Sequence, residues 1–322
     1  MFRQLISSLA LLLVASAAQA QSSWPTKPVK ILVPTAPGGT ADATARMFAL
    51  HLGKVLGQQF YVENRGGAGN TLGIDSVVRS PADGHTLLLG AGTITINHLV
   101  YKNLPYDVLR DLTPVTQMVS VPNVLLVHPS QPMQTLADYI AAAKAKPGQV
   151  SYGSAGVGSN LHLAMELLKV RTGIEVTHVP YKSMAQPLND VLGGHLNYMF
   201  SDLSPALPLI RDGKLRALGV TSATRVPTAN EIPTLAEAGV PGYEAVAWLM
   251  VVTRSGLPAD ILNRLHGELK GILAQPDVRE QIARFGMIPV DSPPPEELHR
   301  YVGSETARWS KIVQQAGATG IE

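Results

Sequence analysis

Apolar strand-like segments and helix-like segments alternate along most of this chain, and this alternation limits the fold more than any other feature. The first strand, 29–33, runs into a helix predicted over 40–56. Further strands are predicted at 58–64, 85–91, 123–129, 150–156, 175–181, 196–202 and 215–222, and further helices at 70–80, 135–146, 158–171, 184–193 and 204–212. Such units place parallel strands in a sheet that helices cover on both faces. The sequence therefore predicts an α/β protein.

The last third of the chain has a different pattern, in which one strand at 245–253 precedes helices at 258–272, 276–285 and 295–316. The 322 residues suffice for two domains, but no linker rich in Gly or Ser separates two halves. The chain would then pass between domains on ordinary strands, 123–129 outward and 215–222 on return. We expect lobe 1 to comprise 25–122 plus 223–322 and lobe 2 to comprise 123–222, with ligand in the cleft between them.

The N-terminal residues 1–20 have the pattern of a secretory signal peptide. Arg3 supplies the positive start, a short apolar core follows, and Ala18 and Ala20 form an A-x-A cleavage site. The alternative is a membrane anchor, for which the apolar core is too short. Cleavage is predicted after Ala20. Because the chain contains no Cys, it has no disulfide, thiol nucleophile or Cys-based metal site. These features favour a protein free in the periplasm or secreted beyond it.

The charge pattern and the motifs point away from several functional classes. A net charge of +2 without any block of like charge gives no electrostatic support for binding nucleic acid or an anionic membrane. The motifs H-E-x-x-H, G-x-x-x-x-G-K-[ST] and G-x-S-x-G are absent, and none of the 9 His lies three or four residues from another. We therefore expect no catalytic residue, no metal site and no cofactor.

Three glycine-rich turns, at 34–42, 63–73 and 152–162, connect a strand to the start of a helix. We call them the first, second and third loops. The first N–H groups of a helix have no partner within it, and the helix dipole places partial positive charge there. Glycine lets a ligand approach the backbone, so such a turn can bind an anion without Lys or Arg. The alternative is that these turns only reverse the chain, and it applies most to the second loop.

Several residues near these loops have both a functional and a structural interpretation. Asp42 repels an anionic ligand, so holding the first loop in shape is its more probable role. His162 contacts ligand or is a satisfied structural histidine. Tyr181 and Lys182 end a strand where ligands bind in open α/β sheets, although an exposed Lys is usually just solvated. Asp202 faces the cleft or caps the helix that follows it.

Seven segments in order resemble the Bug family, the periplasmic solute receptors of tripartite tricarboxylate transporters. They include "VKILVPTAPGGTADATAR", "VENRGGAGNTLG", "VSYGSAGVGSNLHLAMELL" and "VPYKSMAQPLNDVLGGHLNYMF", and the resemblance covers about 25–318. It implies a two-lobed periplasmic binding protein of the Venus flytrap, type II-like, architecture, with parallel or mixed sheets flanked by helices. Such a receptor captures a small organic carboxylate, delivers it to the integral-membrane permease subunits and is expected to be monomeric.

The resemblance also implies which residues bind the carboxylate. The first and third loops clasp it, and the remaining positions line the rest of the pocket: Thr35, Ala36, Gly38, Gly39, Asp42, Gly92, Thr93, Ser154, Gly156, Gly158, Ser159, Asn160, His162, Tyr181, Ser183 and Asp202. The expected ligand is a di- or tricarboxylate or an aromatic carboxylate. Thr35-Ala36 and Ser183 depart from the family's usual residues, so the sequence leaves open which of these acids binds. The alternative function is an exported enzyme, hydrolytic or nucleotide-linked, that uses the glycine-rich loops.

Overall fold

A computed structural model describes residues 24–101, 103–315 and 317, so the predicted signal peptide 1–20 lies outside the described residues. The first of two sheets contains β1 (Val29–Val33), β2 (Phe60–Asn64), β3 (Thr86–Ala91), β4 (Leu112–Val121), β10 (Ala247–Arg254) and β11 (Ile288–Pro289). Its spatial order is β11-β4-β10-β3-β1-β2. β1 pairs in parallel with β2 and β3, whereas β10 runs antiparallel to β3 and β4. The sheet is therefore mixed.

The second sheet contains β5 (Asn123–Val127), β6 (Ser151–Ser154), β7 (Thr177–Pro180), β8 (Tyr198–Asp202) and β9 (Arg216–Val220), in the spatial order β7-β6-β8-β5-β9. β6 is parallel to β7 and β8, and β5 is antiparallel to β8 and β9. The chain moves from the first sheet to the second between β4 and β5 and returns after β9. The mixed α/β fold class is confirmed, while the lobe boundaries stay a prediction.

Helices flank both sheets. They are α1 (Thr40–Leu56), α2 (Thr71–Val78), α3 (Asn97–Val100), α4 (Val108–Asp111), α5 (Leu136–Ala145), α6 (Asn160–Thr172), α7 (Ala185–Leu192), α8 (Leu203–Arg211), α9 (Ala259–Leu273), α10 (Pro276–Arg284) and α11 (Pro295–Gln315). Each predicted helix forms within two residues of its predicted ends, because apolar periodicity and Gly or Pro punctuation marked them. Among the described residues, no helix combines the length and apolarity that a bilayer crossing requires.

The ten-residue strand β4 escaped the sequence prediction, although it is central to the first sheet between β10 and β11. Its sequence "LTPVTQMVSV" mixes polar and apolar residues and contains Pro114, which argues against a central strand. The polar groups find partners from outside the sheet: Thr116 Oγ1 lies 3.0 Å from Nδ1 of His266, and the Gln117 N–H donates to Ser292 at 3.0 Å. Tertiary contacts therefore override the local pattern.

A shared hydrophobic core joins the two sheets. Val100 of α3 and Trp309 and Val313 of α11 are buried in one cluster with Leu161 and Leu163 of α6. α3 and α11 follow strands of the first sheet, whereas α6 follows a strand of the second. A closing movement must therefore either carry α3 and the end of α11 with the second sheet or separate this core.

Candidate functional site

The first loop leaves the start of α1 without a side-chain cap. Gly39 is the N-cap residue, with φ −87°, and it offers no side-chain acceptor to the first-turn N–H groups. Gly38 has φ +88°, in the left-handed region that favours glycine. A Cβ added at Gly38 or Gly39 would meet no atom within 4 Å. The loop therefore presents unpartnered backbone donors at an open surface.

Asp42 holds this loop from behind. Its side chain is buried, and Oδ2 accepts the Gly38 N–H at 2.9 Å and Nε of Arg46 at 3.1 Å. Burial opposes ionisation of Asp42, but the hydrogen bonds from Arg46 and Gly38 outweigh it and lower the pKa of this carboxyl group. The structure thus shows the turn-holding role that the sequence favoured for Asp42.

The second loop supports the first instead of forming a separate turn. The Asn64 side chain donates to the Thr35 carbonyl at 3.2 Å, and a Cβ at Gly66 would lie 3.5 Å from the Ala36 nitrogen. The same loop contacts the residues after β3, because Asn70 Nδ2 donates to Thr93 Oγ1 at 3.2 Å. Thr93 and its neighbour Gly92, two predicted site residues, begin a 3-10 turn there. The second loop therefore connects two parts of the predicted site.

The third loop is shaped by two glycines and two serines. Gly156 has φ +111° and Gly158 has φ +77°, both in the left-handed region. The Ser154 hydroxyl accepts the Gly156 N–H at 3.1 Å, while the Ser159 hydroxyl donates to the Gly156 carbonyl at 2.7 Å. Ser159 is also the N-cap of α6. These bonds fix the backbone between Ser154 and α6 in one conformation.

A chain of three hydrogen bonds connects the first loop to the third. Thr40, the first residue of α1, donates through Oγ1 to Oδ2 of Asp202 at 3.2 Å. Asn123 donates through Nδ2 to Oδ1 of Asp202 at 2.8 Å, and its own Oδ1 accepts from Asn160, the first residue of α6, at 3.2 Å. The N-termini of α1 and α6 are therefore brought together from the two sheets.

Asp202 is the centre of this chain and does not cap α8. It occupies the N-cap position but makes no side-chain bond to the helix, since its oxygens accept from Thr40 and Asn123. Burial raises the pKa of Asp202, and the two hydrogen bonds oppose that rise. Of the two roles that the sequence left open, capping the helix is not the one seen here, and a position facing the ligand cleft stays a prediction.

The segment after β7 contains Tyr181, Lys182 and Ser183, which the sequence analysis considered for the site. The Tyr181 hydroxyl donates to Oδ2 of Asp190 in α7 at 2.6 Å, and this bond raises the pKa of Tyr181 to about 12. The hydroxyl is thus already engaged by the protein. Lys182 and Ser183 are exposed.

His162 lies behind the third loop with its side chain 4 % exposed. Its Nδ1 accepts the Gly158 N–H at 3.2 Å, and its ring stacks on that of His178 with centroids 4.2 Å apart. Burial lowers the pKa of His162 to about 4, so the ring is neutral at ordinary pH. The structure shows the satisfied structural histidine that the sequence gave as one alternative.

Three residues that support the site were missed by the sequence analysis: Asn64, Asn123 and Glu166. Asn123 left a signal, because it is a polar residue that begins the otherwise apolar strand "NVLLV". A fully buried polar side chain needs hydrogen-bond partners, and Asn123 finds them in Asp202 and Asn160. Asn64 and Glu166 left no comparable signal.

Comparisons with known proteins agree with this geometry. The profile of the tripartite tricarboxylate transporter family receptor matches residues 44–318. BugT of Bordetella pertussis is 35% identical over 298 residues, which cover 92% of this chain and 91% of BugT. Among solved structures, R. palustris Rpa4515 with adipate has a TM-score of 0.85 and 37% identity, covering 92% of this chain and 100% of that one. MatC from Rhodopseudomonas palustris with bound malate has a TM-score of 0.77 and 30% identity, covering 90% and 100%. The chain therefore belongs to the tripartite tricarboxylate transporter receptor family, as the seven segments predicted, and is a solute receptor of the Bug type.

Proposed function

We propose that this receptor binds a small organic dicarboxylate, with one carboxylate held between the first and third loops. The observation that carries the proposal is the chain from Thr40 through Asp202 and Asn123 to Asn160, which brings two helix N-termini together. Adipate in Rpa4515 and malate in MatC support this class of ligand.

The binding energy comes from oriented backbone dipoles. The uncapped first turn of α1 offers N–H groups with no intrahelical acceptor, and both helix dipoles favour a negative charge at this point. The amides of Gly38, Gly156 and Gly158 already donate to Asp42, Ser154 and His162. We therefore assign direct contact with the ligand carboxylate to the backbone N–H groups at the start of α1 and to Asn160. The amides of the three glycines, which already have partners, keep the loops in shape.

The residues around this clasp would receive the rest of the ligand. Gly92 and Thr93 follow β3 and are connected to the second loop, and Ser183 is exposed beside Tyr181. Asp202 has hydrogen bonds to both of its oxygens, so we assign it the support of the clasp in place of contact with the distal end of the ligand.

The receptor's setting follows from its family and its N-terminal sequence. We propose that it is secreted with cleavage after Ala20, acts as a monomer in the periplasm and delivers its ligand to the permease subunits of a tripartite tricarboxylate transporter. It would release the ligand chemically unchanged, which separates it from the alternative of an exported enzyme. Mass spectrometry of a recovered ligand distinguishes the two, since an enzyme returns a product.

A thermal-shift screen tests the clasp. The panel contains adipate, malate, citrate and nicotinate, each beside the ester in which every carboxyl group is methylated. At a concentration 100-fold above Kd, a ligand that binds only the folded state adds about 2.7 kcal/mol of stability, enough to raise the Tm visibly. We expect at least one free acid to raise the Tm and its ester to fail, because an ester lacks the charge that the N–H groups bind. Equal shifts by acid and ester would contradict the clasp.

A further inference from the structure

A buried network of polar side chains lies beneath the third loop and ends at Glu166. This side chain is 5 % exposed, and it accepts hydrogen bonds from the Tyr152 hydroxyl at 3.0 Å and from Nζ of Lys169 at 2.9 Å. Its second oxygen also accepts from Lys169, at 2.8 Å. Because hydrogen bonds from two different elements hold the carboxylate, its oxygens have a fixed direction.

His162 connects this carboxylate to the loop. Its Nδ1 accepts the Gly158 N–H at 3.2 Å, so a neutral ring must carry its proton on Nε2. Nε2 lies 3.7 Å from Oε1 of Glu166, which gives that proton an acceptor to face. With the proton on Nδ1 instead, two donors would face each other and the Gly158 amide would lose its partner.

Ring stacking prevents His162 from turning away. His178 stacks on His162 at a centroid distance of 4.2 Å and on Tyr152 at 4.9 Å, with interplanar angles of 17° and 19°. Ser154 Oγ lies 2.6 Å from Nε2 of His178, so the stack is attached to the loop a second time. The only freedom left to His162 is the choice of tautomer.

We propose that Glu166 is a positioning residue for the ligand clasp: it selects the Nε2–H tautomer of His162, whose Nδ1 then fixes the Gly158 amide and the third loop. This inference rests on the proposed function, because the loop it positions is the one assigned to the ligand carboxylate. Glu166 itself lies one helical turn beyond His162 in α6, and its polar contacts in the described part of the chain are with Tyr152, Lys169 and His162.

The tautomer is measurable in the ligand-free receptor. Nitrogen-15 NMR distinguishes a protonated Nδ1 from a protonated Nε2, and we expect wild-type His162 to carry its proton on Nε2. Glu166→Leu should give a mixture of tautomers and faster hydrogen exchange at the Gly158 amide, whereas Glu166→Gln should keep the Nε2–H tautomer because it retains an acceptor. A proton on Nδ1 in the wild type, or an unchanged tautomer in Glu166→Leu, would overturn the proposal.

A double-mutant cycle separates positioning from simple fold support. Asn at position 162 places an amide oxygen near the position of Nδ1, and an amide has no tautomer to select. We expect Glu166→Leu to weaken binding of the acid that gives the largest thermal shift about tenfold when His162 is present, because the third loop loses its fixed His162 tautomer. In the His162→Asn background it should weaken binding less than about twofold. Equal losses in both backgrounds would overturn the proposal. If no dicarboxylate of the panel binds, the dicarboxylate assignment fails, while the tautomer measurement still decides the role of Glu166.

Discussion

Thr40 and Asp202 are joined by a hydrogen bond of 3.2 Å across 162 positions of sequence. Thr40 begins a helix of the first sheet, and Asp202 ends a strand of the second. The bond therefore links the two halves of the molecule at the point where both present a helix N-terminus. Because Asp202 is half-buried there, the Thr40 hydroxyl compensates for part of the hydration that its carboxyl group has lost.

Removal of the Thr40 hydroxyl should loosen this link. We expect Thr40→Val to lower the free energy of unfolding by about 1 kcal/mol, because a half-buried acceptor loses its donor. Ligand affinity should fall as well, since the loops are no longer joined. Thr172→Val is the matched control, because the Thr172 hydroxyl bonds only to the Leu168 carbonyl of its own helix. Urea unfolding of both variants checks the prediction, and equal losses would contradict it.

Asp42 should stabilise the first loop only while it is ionised. Its pKa is lowered in the folded state, so its contribution is present above the unfolded value of 3.8 and is lost as the pH falls through the folded value. We expect Asp42→Ala to lower the free energy of unfolding by about 1–3 kcal/mol at pH 7 and to reduce ligand affinity. The difference from wild type should shrink below about pH 4.

A matched pair provides the control for Asp42. Glu280 and Arg284 form the same i,i+4 ion pair on exposed α10, at 2.6 Å, without contact to any loop of the site. Glu280→Ala should cost less than about 0.5 kcal/mol, since exposed pairs contribute little. Urea unfolding at pH 7 and at about pH 2 compares the two substitutions, and a cost of Asp42→Ala at pH 7 no larger than that of Glu280→Ala would count against the loop-holding role.

The two stacked histidines should make the stability fall as the pH drops below about 6.5. Burial lowers the pKa of His162 and of His178 to about 4, from an unfolded value of 6.5. The unfolded chain therefore binds more protons between these values, and stability falls as the pH drops from 6.5 toward 4. Each histidine accounts for a loss of on the order of 2–3 kcal/mol in the free energy of unfolding as the pH falls over this range. The urea midpoint, plotted against pH between pH 4 and pH 7, should have a smaller slope in the His162→Asn and His178→Asn variants than in wild type. An unchanged slope would refute the assignment.

The sequence predicted the elements that carry the loops because their signals are local. Gly38 and Gly39 lie in the turn between the end of β1 at Val33 and the start of α1 at Thr40, and Ser159 caps α6 where the helix pattern starts. The resemblance to the Bug family then identified these turns as a ligand clasp. Each of these predictions depended on residues that are near one another in the chain.

The interactions between the loops could not be predicted in the same way, because they depend on register and tertiary contact. Asn123 donates to Asp202, 79 positions away, and accepts from Asn160, 37 positions away. Nothing in the pattern around Asn64 or Glu166 indicates that one supports the Thr35 carbonyl and the other faces His162. Strand β4 was missed for the same reason, since the Thr116 hydroxyl and the Gln117 N–H find their partners in distant residues.

Substitution of Gly39 tests the central claim, that uncapped N–H groups at the start of α1 bind the ligand carboxylate. Asp is a favoured N-cap residue, so Gly39→Asp should keep or raise the Tm while its own carboxylate occupies those donors. Gly271→Asp on α9 is the control, because both glycines have no atom within 4 Å of an added Cβ. Titration calorimetry with the acid that gives the largest thermal shift is the direct measurement. We predict at least about a 100-fold loss of affinity in Gly39→Asp and none in Gly271→Asp, whereas wild-type affinity in a folded Gly39→Asp receptor would contradict the claim.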